Sequence, residues 1–406
     1  MRKNIMWNTL GSVFYCVCQW LITLLVVHLS GYEDAGFLGL AMTTSSSFSA
    51  ISLFSMRNFQ VSDVLEEYKS GQYVGSRILT CIIAFICCSI GACFGNSLYQ
   101  ILCIDAFMLV RVAEAIVDVL HGINQKNNRY DLIGKSYILR GIATIVVFSA
   151  GLWISNNLLI TLVVMAIVNL AIALLFDWTL TKKIDDFKPK IDKKVLELLK
   201  RCVPIAIFSF LLSLENLIPK NVLQQCYGTE ELGIYSSIAS PTLVVQVFAS
   251  VAFSPFLPMI SKAYVEERYE DFLKMLRKAY VALMAMGFIV TGGAIVFGKF
   301  GLRILYGEDI LQHYEIFLPI VWVTILTAII WILSSVVVAL RKINPLLIGM
   351  GIDFMVCILL VHPLIIRFEK NGVSIVQIIC LSLYVAYMIV LCEVTVSRKR
   401  KERIKK

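Results

Sequence analysis

Long apolar runs alternate with short charged breaks along the whole chain. Twelve runs stand out, at 8–29, 34–55, 76–95, 98–120, 135–154, 157–177, 202–220, 231–256, 279–298, 314–340, 344–366 and 373–396. At about 1.5 Å per residue, each is long enough for a helix to cross a hydrocarbon layer of about 30 Å. The runs are continuously apolar rather than alternating, which excludes a transmembrane β-barrel. The pattern predicts an all-α polytopic membrane protein.

The longest strongly charged stretch, 177–201, holds Lys182, Lys183, Lys188, Lys190, Lys193, Lys194, Lys200 and Arg201. Six apolar runs precede it and six follow. Basic connections between spans are retained on the cytoplasmic side. Alternating crossings then put both termini on that side. The inner connections and termini carry 31 Lys/Arg, counting Arg77, Lys135 and Arg140 at the ends of their spans with the connections. The outer connections carry only Lys220, Lys299, Arg303, Arg367 and Lys370, and Arg111 alone is left inside a span. The expected organisation is an N-terminal six-helix bundle (1–177), a cytoplasmic basic linker (178–201), a C-terminal six-helix bundle (202–397) and a basic cytoplasmic tail (398–406). The N-terminus has a basic start and an apolar run. That run is too long for a signal peptide and lacks a small-residue cleavage site, so it is read as the first span.

The halves repeat. Gly31-Tyr32-Glu33-Asp34-Ala35-Gly36 after the first span matches Gly228-Thr229-Glu230-Glu231-Leu232-Gly233 after the seventh, at a constant offset of 197. Six spans per half is an even number, so the repeat is parallel, about an axis along the membrane normal. All nine prolines lie at or after Pro189. They either bend helices of a gate or reflect the general frequency of proline in membrane helices. Residues 263–278 place Val265, Tyr269, Phe272, Leu273 and Leu276 on one helical face, suiting a surface helix or an extension of the next span.

Composition sharpens this picture. Charged residues are 16% of the chain and hydrophobic ones 58%, with mean hydropathy +0.79. A soluble domain carries about 25% charged residues. The net charge of +9 follows membrane topology and does not imply nucleic acid. Eleven of the twelve cysteines lie in or beside spans, where they act as small hydrophobes, and none has metal-ligand spacing with histidine.

Candidate chemistry sits inside the spans. Arg111, Glu114 and Asp118 fall within about 60° on one face of span 4, and His121 continues the stripe. Intramembrane charges face a bundle interior or water. They form either a polar lining and cation-coupling site or a structural ion pair. Glu215-Asn216 interrupts span 7, and Gln19 sits at the equivalent level of span 1. Serine and threonine cluster in spans 2 and 8, favouring a shared central cavity. Asp353 is an isolated acid in span 11. Counted this way, acids outnumber cations at membrane depth. Asp185-Asp186 lacks the context of a nucleotide-sugar site, Gly349-Met350-Gly351 lies in a span, and the four histidines are scattered, so no enzyme and no metal site is expected.

The NTLGSVFYCVCQW segment of span 1, MRNFQVSD (56–63), GINQKNNRYDLIGKSYILR (122–140) and LGIYSSIASP (232–241) resemble the O-antigen and capsule repeat-unit flippases of the multidrug/oligosaccharidyl-lipid/polysaccharide (MOP) exporter superfamily. The resemblance covers nearly the whole chain through diffuse motifs. It implies two six-helix bundles in a MATE-like V. It also implies alternating access and export of undecaprenyl-diphosphate-linked oligosaccharide across the cytoplasmic (inner) membrane for surface polysaccharides such as lipopolysaccharide O-antigen or capsule. Spans 1, 2, 7 and 8 would line the cavity, with Arg57, Lys135 and Arg140 at its inner mouth, where arginine can fork onto phosphate. The expected substrate contacts are Gln19, Arg57, Arg111, Lys135, Arg140 and Asn216. The expected ion-coupling acids are Glu114, Asp118, Glu215 and Asp353, for a proton or sodium ion and without any cofactor. Membrane lipid, a polysaccharide polymerase and glycosyltransferases are the expected partners. A cation-coupled multidrug exporter of the same fold and a non-transporting scaffold of an assembly complex remain the alternatives.

Overall fold

The computed structural model describes residues 2–63, 67–242, 263–264, 266–340 and 342–404, and its regular elements are helices throughout. In chain order these are α1 (Arg2–Ser30), α2 (Tyr32–Leu53), the short α3 (Met56–Ser62), α4 (Ser70–Ala92), α5 (Leu98–Lys126) and α6 (Tyr130–Ser155). Then come α7 (Leu158–Ile172), which passes through a π turn (Ala173–Trp178) into α8 (Thr179–Lys182), α9 (Lys193–Tyr227) and α10 (Thr229–Ala239). The last are α11 (Tyr269–Tyr306), α12 (Phe317–Ala339) after a 3-10 stretch (Asp309–Ile316), and α13 (Ile343–Ile404).

The predicted runs fall on these helices but for a few end residues. Residues 243–256 of the eighth run lie outside the described residues, as do Pro255, Val265, Lys405 and Lys406. Helix α13 breaks at Glu369 (φ 50°, ψ −128°), which separates the last two runs. The break lies six residues beyond Pro363. Among the described residues, seven helices are long and apolar enough to cross a membrane. α2, α5 and α9 have the length but carry the hydroxyls and charges that lower their hydropathy. Large side chains point outward: Ile82, Ile83, Ile86 and Ile90 on α4, and Phe288, Ile289, Val296 and Phe297 on α11 are exposed. That is the pattern of helices solvated by hydrocarbon, with their backbone bonds closed internally. The protein is a multi-pass membrane protein.

Packing divides the chain into two compact units, Met1–Leu217 with Gly228–Gly233, and Ile218–Tyr227 with Ile234–Lys406. In the first, α5 is central, packed by α2, α4 and α7, and α6 lies along α1. One end of this unit joins the two copies of the repeat. Gly31 and Gly228 both take left-handed backbone, at φ 90° and 95°, where a side chain would be strained. A Cβ on Gly36 would strike the Thr229 carbonyl oxygen, and one on Gly233 the Tyr32 carbonyl oxygen. Both pairs obey the 197-residue offset, so the contact is reciprocal.

At the other end the linker is strapped onto α4. The Lys190 N–H donates to the Gly71 carbonyl at 2.9 Å. Gly71 and Gly75 leave room for the Lys188 and Lys190 carbonyls. Gln72 donates to both oxygens of Asp192, at 3.2 and 3.0 Å. Phe187 is buried with Tyr68, Tyr73, Val195 and Leu198.

In the second unit, α12 packs on α11 and α13. The two arms of α13 meet through Cys357, Val376 and Cys380. Tyr269, Phe272, Leu273 and Leu276 are buried in the first turns of α11, so residues 269–278 extend that helix.

Candidate functional site

The first unit encloses a continuous polar cluster. In α5, Glu114 accepts from the Tyr15 hydroxyl of α1 and from Arg111 at 2.6 Å. Arg140 of α6, about 1% exposed, stands 3.9 Å from the same carboxylate, over the Tyr15 ring, and donates to Asn169 of α7 at 3.4 Å. One turn further along α5, Asp118 lies between Arg57 (3.0 Å) and Arg77 (2.9 Å). Arg77, from α4, is fully buried and also donates to the Ser52 carbonyl at 2.5 Å. Arg57, from α3, is 26% exposed and reaches Gln125 at 3.3 Å. Its position depends on a tight corner between α2 and α3, where Phe54 and Ser55 both take φ 50°. Two successive non-glycine residues in this region are strained, and such strain gathers at functional sites. A turn beyond Asp118, His121 faces Asp177, which the π turn carries.

Beside Arg57 and Asp118 opens a cavity of about 310 Å³. Its walls carry hydroxyls from Ser46 and Ser49 of α2, Ser55 of the corner, and Ser209 and Ser213 of α9. A hydroxyl-rich wall ending in a partly exposed guanidinium suits a polar, anionic guest.

The structure brings Arg57, Arg111, Glu114, Asp118 and Arg140 together. Arg140 is buried in the bundle, not at a mouth, because α6 packs along α1 with this face inward. Lys135, one turn earlier, is exposed and outside the cluster. The Gln19 amide atoms are buried with no hydrogen-bond partner among the described residues. Glu215 is buried in α9 and its neighbour Asn216 is exposed. Asp353 is buried in the second unit, on α13. Within this cluster the arginines outnumber the acids, while Glu215 and Asp353 are two further buried acids. Arg57, Arg77, Arg111 and Arg140 stand with Glu114, Asp118 and Asp177, because long arginine stems reach inward from α3, α4, α5 and α6. Tyr15, Arg77, Asn169 and Asp177 went unrecognised as members. Arg77 and Asp177 lay within predicted runs, where any charge is a signal.

A shell of outward-facing apolar side chains around a buried charged cluster defines a polytopic membrane protein. The chain belongs to the polysaccharide biosynthesis protein family, which matches residues 2–264. It is 31% identical over 277 residues to the capsular polysaccharide biosynthesis protein CapF of Staphylococcus aureus, covering 66% of this chain and 68% of CapF. Its fold is shared with solved membrane proteins, among them a transporter described as of the MOP superfamily. An inward-facing multidrug resistance MATE family transporter superposes with TM-score 0.74 at 12% identity, over 98% of this chain and 99% of the other. The lipid II flippase MurJ, inward closed, superposes with TM-score 0.72 at 16% identity, over 96% and 87%.

Proposed function

We propose that this chain flips undecaprenyl-diphosphate-linked oligosaccharide repeat units across the cytoplasmic membrane by alternating access, for surface polysaccharide biosynthesis. The observation that carries this reading is Arg57 at the rim of the serine-walled cavity. Arg57 can turn from Asp118 to a diphosphate without stranding the acid, because Arg77 still holds the other carboxylate oxygen. The serines offer hydroxyl partners to a sugar, and the apolar outer faces leave the polyprenyl chain in lipid. Membership in the polysaccharide biosynthesis family supports the substrate class. The positive-inside bias supports cytoplasmic termini and linker, and the 197-residue repeat supports two six-span halves around 178–201. A polymerase and glycosyltransferases would act on the same lipid-linked pool.

The test is reconstitution of the purified protein in liposomes with a fluorescent undecaprenyl-diphosphate oligosaccharide on one leaflet, scored by a membrane-impermeant quencher. Wild type is expected to equilibrate the leaflets and Arg57→Gln to slow this at least tenfold. Equal rates in protein-free liposomes would refute the flippase reading. Export of cationic dyes without flipping would favour the multidrug alternative, which the cationic surplus of the cluster disfavours.

A further inference from the structure

The charged cluster holds one pair that its arginines do not close. Glu114 and Asp118 each meet two guanidiniums. His121 and Asp177 differ. They are about 1% and 3% exposed, yet Nε2 of His121 and Oδ1 of Asp177 stand 3.7 Å apart, beyond a direct hydrogen bond. Nε2 of His121 and Oδ2 of Asp177 have no hydrogen-bond partner among the described residues. Buried polar atoms are normally satisfied, so an open pair is an exception that asks for a cause. A second peculiarity coincides with it. Asp177 sits in the π turn Ala173–Trp178, inside an otherwise α-helical span. Single π turns recur at functional positions because they redirect one side chain.

We propose that His121 and Asp177 form a proton-binding site. A proton from water takes the Nε2 lone pair, and the resulting N–H donates to Asp177, closing the gap. The carboxylate stays ionised and no other bond changes. Burial first, and then the groups facing the pair, decide how strongly the proton is held. Asp177 favours the imidazolium. Arg57 of α3 and Arg140 of α6 oppose it. Tyr137 of α6 meets the imidazole edge-on, 5.0 Å between ring centres, and lies beside Arg57. Asp118, on α5 itself, neutralises part of Arg57, and Arg77 of α4 neutralises part of Asp118. Opposed influences of this kind place a histidine where modest changes of charge nearby switch it.

Two consequences follow from position. Closing the gap draws the π turn toward α5, beside the hydrogen bond from Asn124 to Thr181 that already joins α5 to α8 (3.1 Å). The linker follows α8 directly. An anion that takes Arg57 from its present place removes one of the two opposing cations, so anion and proton reinforce each other's binding. That last step rests on the flippase reading; the proton site does not.

The experiment separates the two. A His28→Gln, His313→Gln, His362→Gln triple variant leaves His121 as the sole histidine with the cluster untouched. Nitrogen-15 spectra of its imidazole, in detergent without lipid-linked substrate, should show one protonation between about pH 5 and 8. Asp177→Asn in that background should weaken the proton about tenfold, moving the midpoint down one pH unit. An imidazole fixed in one state from pH 4 to 9, or a midpoint unmoved by Asp177→Asn, would overturn the proposal. In liposomes, an inward-directed pH gradient should accelerate flipping by wild type and not by Asp177→Asn. Flipping indifferent to the gradient, with the titration intact, would sink the coupling and spare the site. Absence of flipping in wild type would sink the flippase reading instead.

Discussion

Removing the charge of Asp118 should cost this protein more than removing either arginine that holds it. In Asp118→Asn, Arg77 loses the carboxylate it is paired with while remaining fully buried, and its Ser52 carbonyl bond cannot neutralise it. Breaking a buried pair from one side costs about 3–5 kcal/mol, because a charge is left uncompensated. That is a large share of a typical stability of about 5–15 kcal/mol. Arg57→Gln leaves Asp118 paired with Arg77 and removes a side chain that is 26% exposed. About 1 kcal/mol is the expected loss there. Arg77→Met falls between, near 2 kcal/mol, since Asp118 keeps Arg57 but two charge-assisted bonds go. The double variant Arg77→Met, Asp118→Asn should be less damaged than the sum of its singles, by about 1–3 kcal/mol, because no buried charge is stranded.

The assay is unfolding of the purified protein in detergent against rising mole fraction of SDS, followed by far-ultraviolet circular dichroism. Three results would refute the reasoning: Asp118→Asn within about 1 kcal/mol of wild type, Arg57→Gln the most damaged, or strict additivity in the double variant.

Three further predictions follow from backbone contacts and one ionisation. Gly36→Ala and Gly233→Ala each drive a Cβ into a backbone carbonyl, so both should lower the melting temperature, and by similar amounts, as the reciprocal contact requires; tolerance of one alone would break the symmetry argument. Gly75→Leu should lift the linker off α4, since its side chain takes the space of the Lys190 carbonyl. Trypsin should then cut at Lys190, Lys193 and Lys194 faster than in wild type, read from a gel time course, whereas unchanged cutting would show that the strap does not hold the linker. Asp63, at the end of α3, is the pH-dependent case. Burial raises its carboxyl pKa, but N–H donors of Glu67 and Tyr68 and the Tyr73 hydroxyl outweigh it and hold the pKa below the usual 3.8. A depressed pKa gives stability that is present above the unfolded value and lost as pH falls through the folded one. Wild type should therefore weaken below about pH 4, and Asp63→Asn should be weaker at pH 7 and flatter on acidification, as measured by thermal melting across pH.

Much of the fold was legible because hydrocarbon leaves few solutions. A continuous apolar run must be a helix, and a run of lysines must stay on one side. The break at Glu369 was visible as the charged stretch Arg367-Phe368-Glu369-Lys370 between two runs. The α5 stripe was legible for the same reason, since Arg111, Glu114 and Asp118 share a helical face. Its partners were not. Arg57 and Arg77 looked like topology markers, because a count of basic residues cannot say which of them turn inward. Asp177 closed the sixth run and opened the charged stretch 177–201; only the π turn shows that it points into the bundle.

The duplicated architecture does not carry duplicated chemistry. The turn glycines and their reciprocal contact recur at a fixed offset, which a shared backbone geometry enforces. Among the described residues the charged cluster has no comparable copy in the second half. The fourth span of the first half holds Arg111, Glu114 and Asp118, while α12, the fourth span of the second, holds no charged residue in Phe317–Ala339. Charges in hydrocarbon persist only where something uses them or closes them completely. Glu114 and Asp118 are closed by arginines; His121 and Asp177 are not. The open pair therefore marks where the first half departs from its copy for a purpose, and the titration of His121 is the measurement that bears on it most directly.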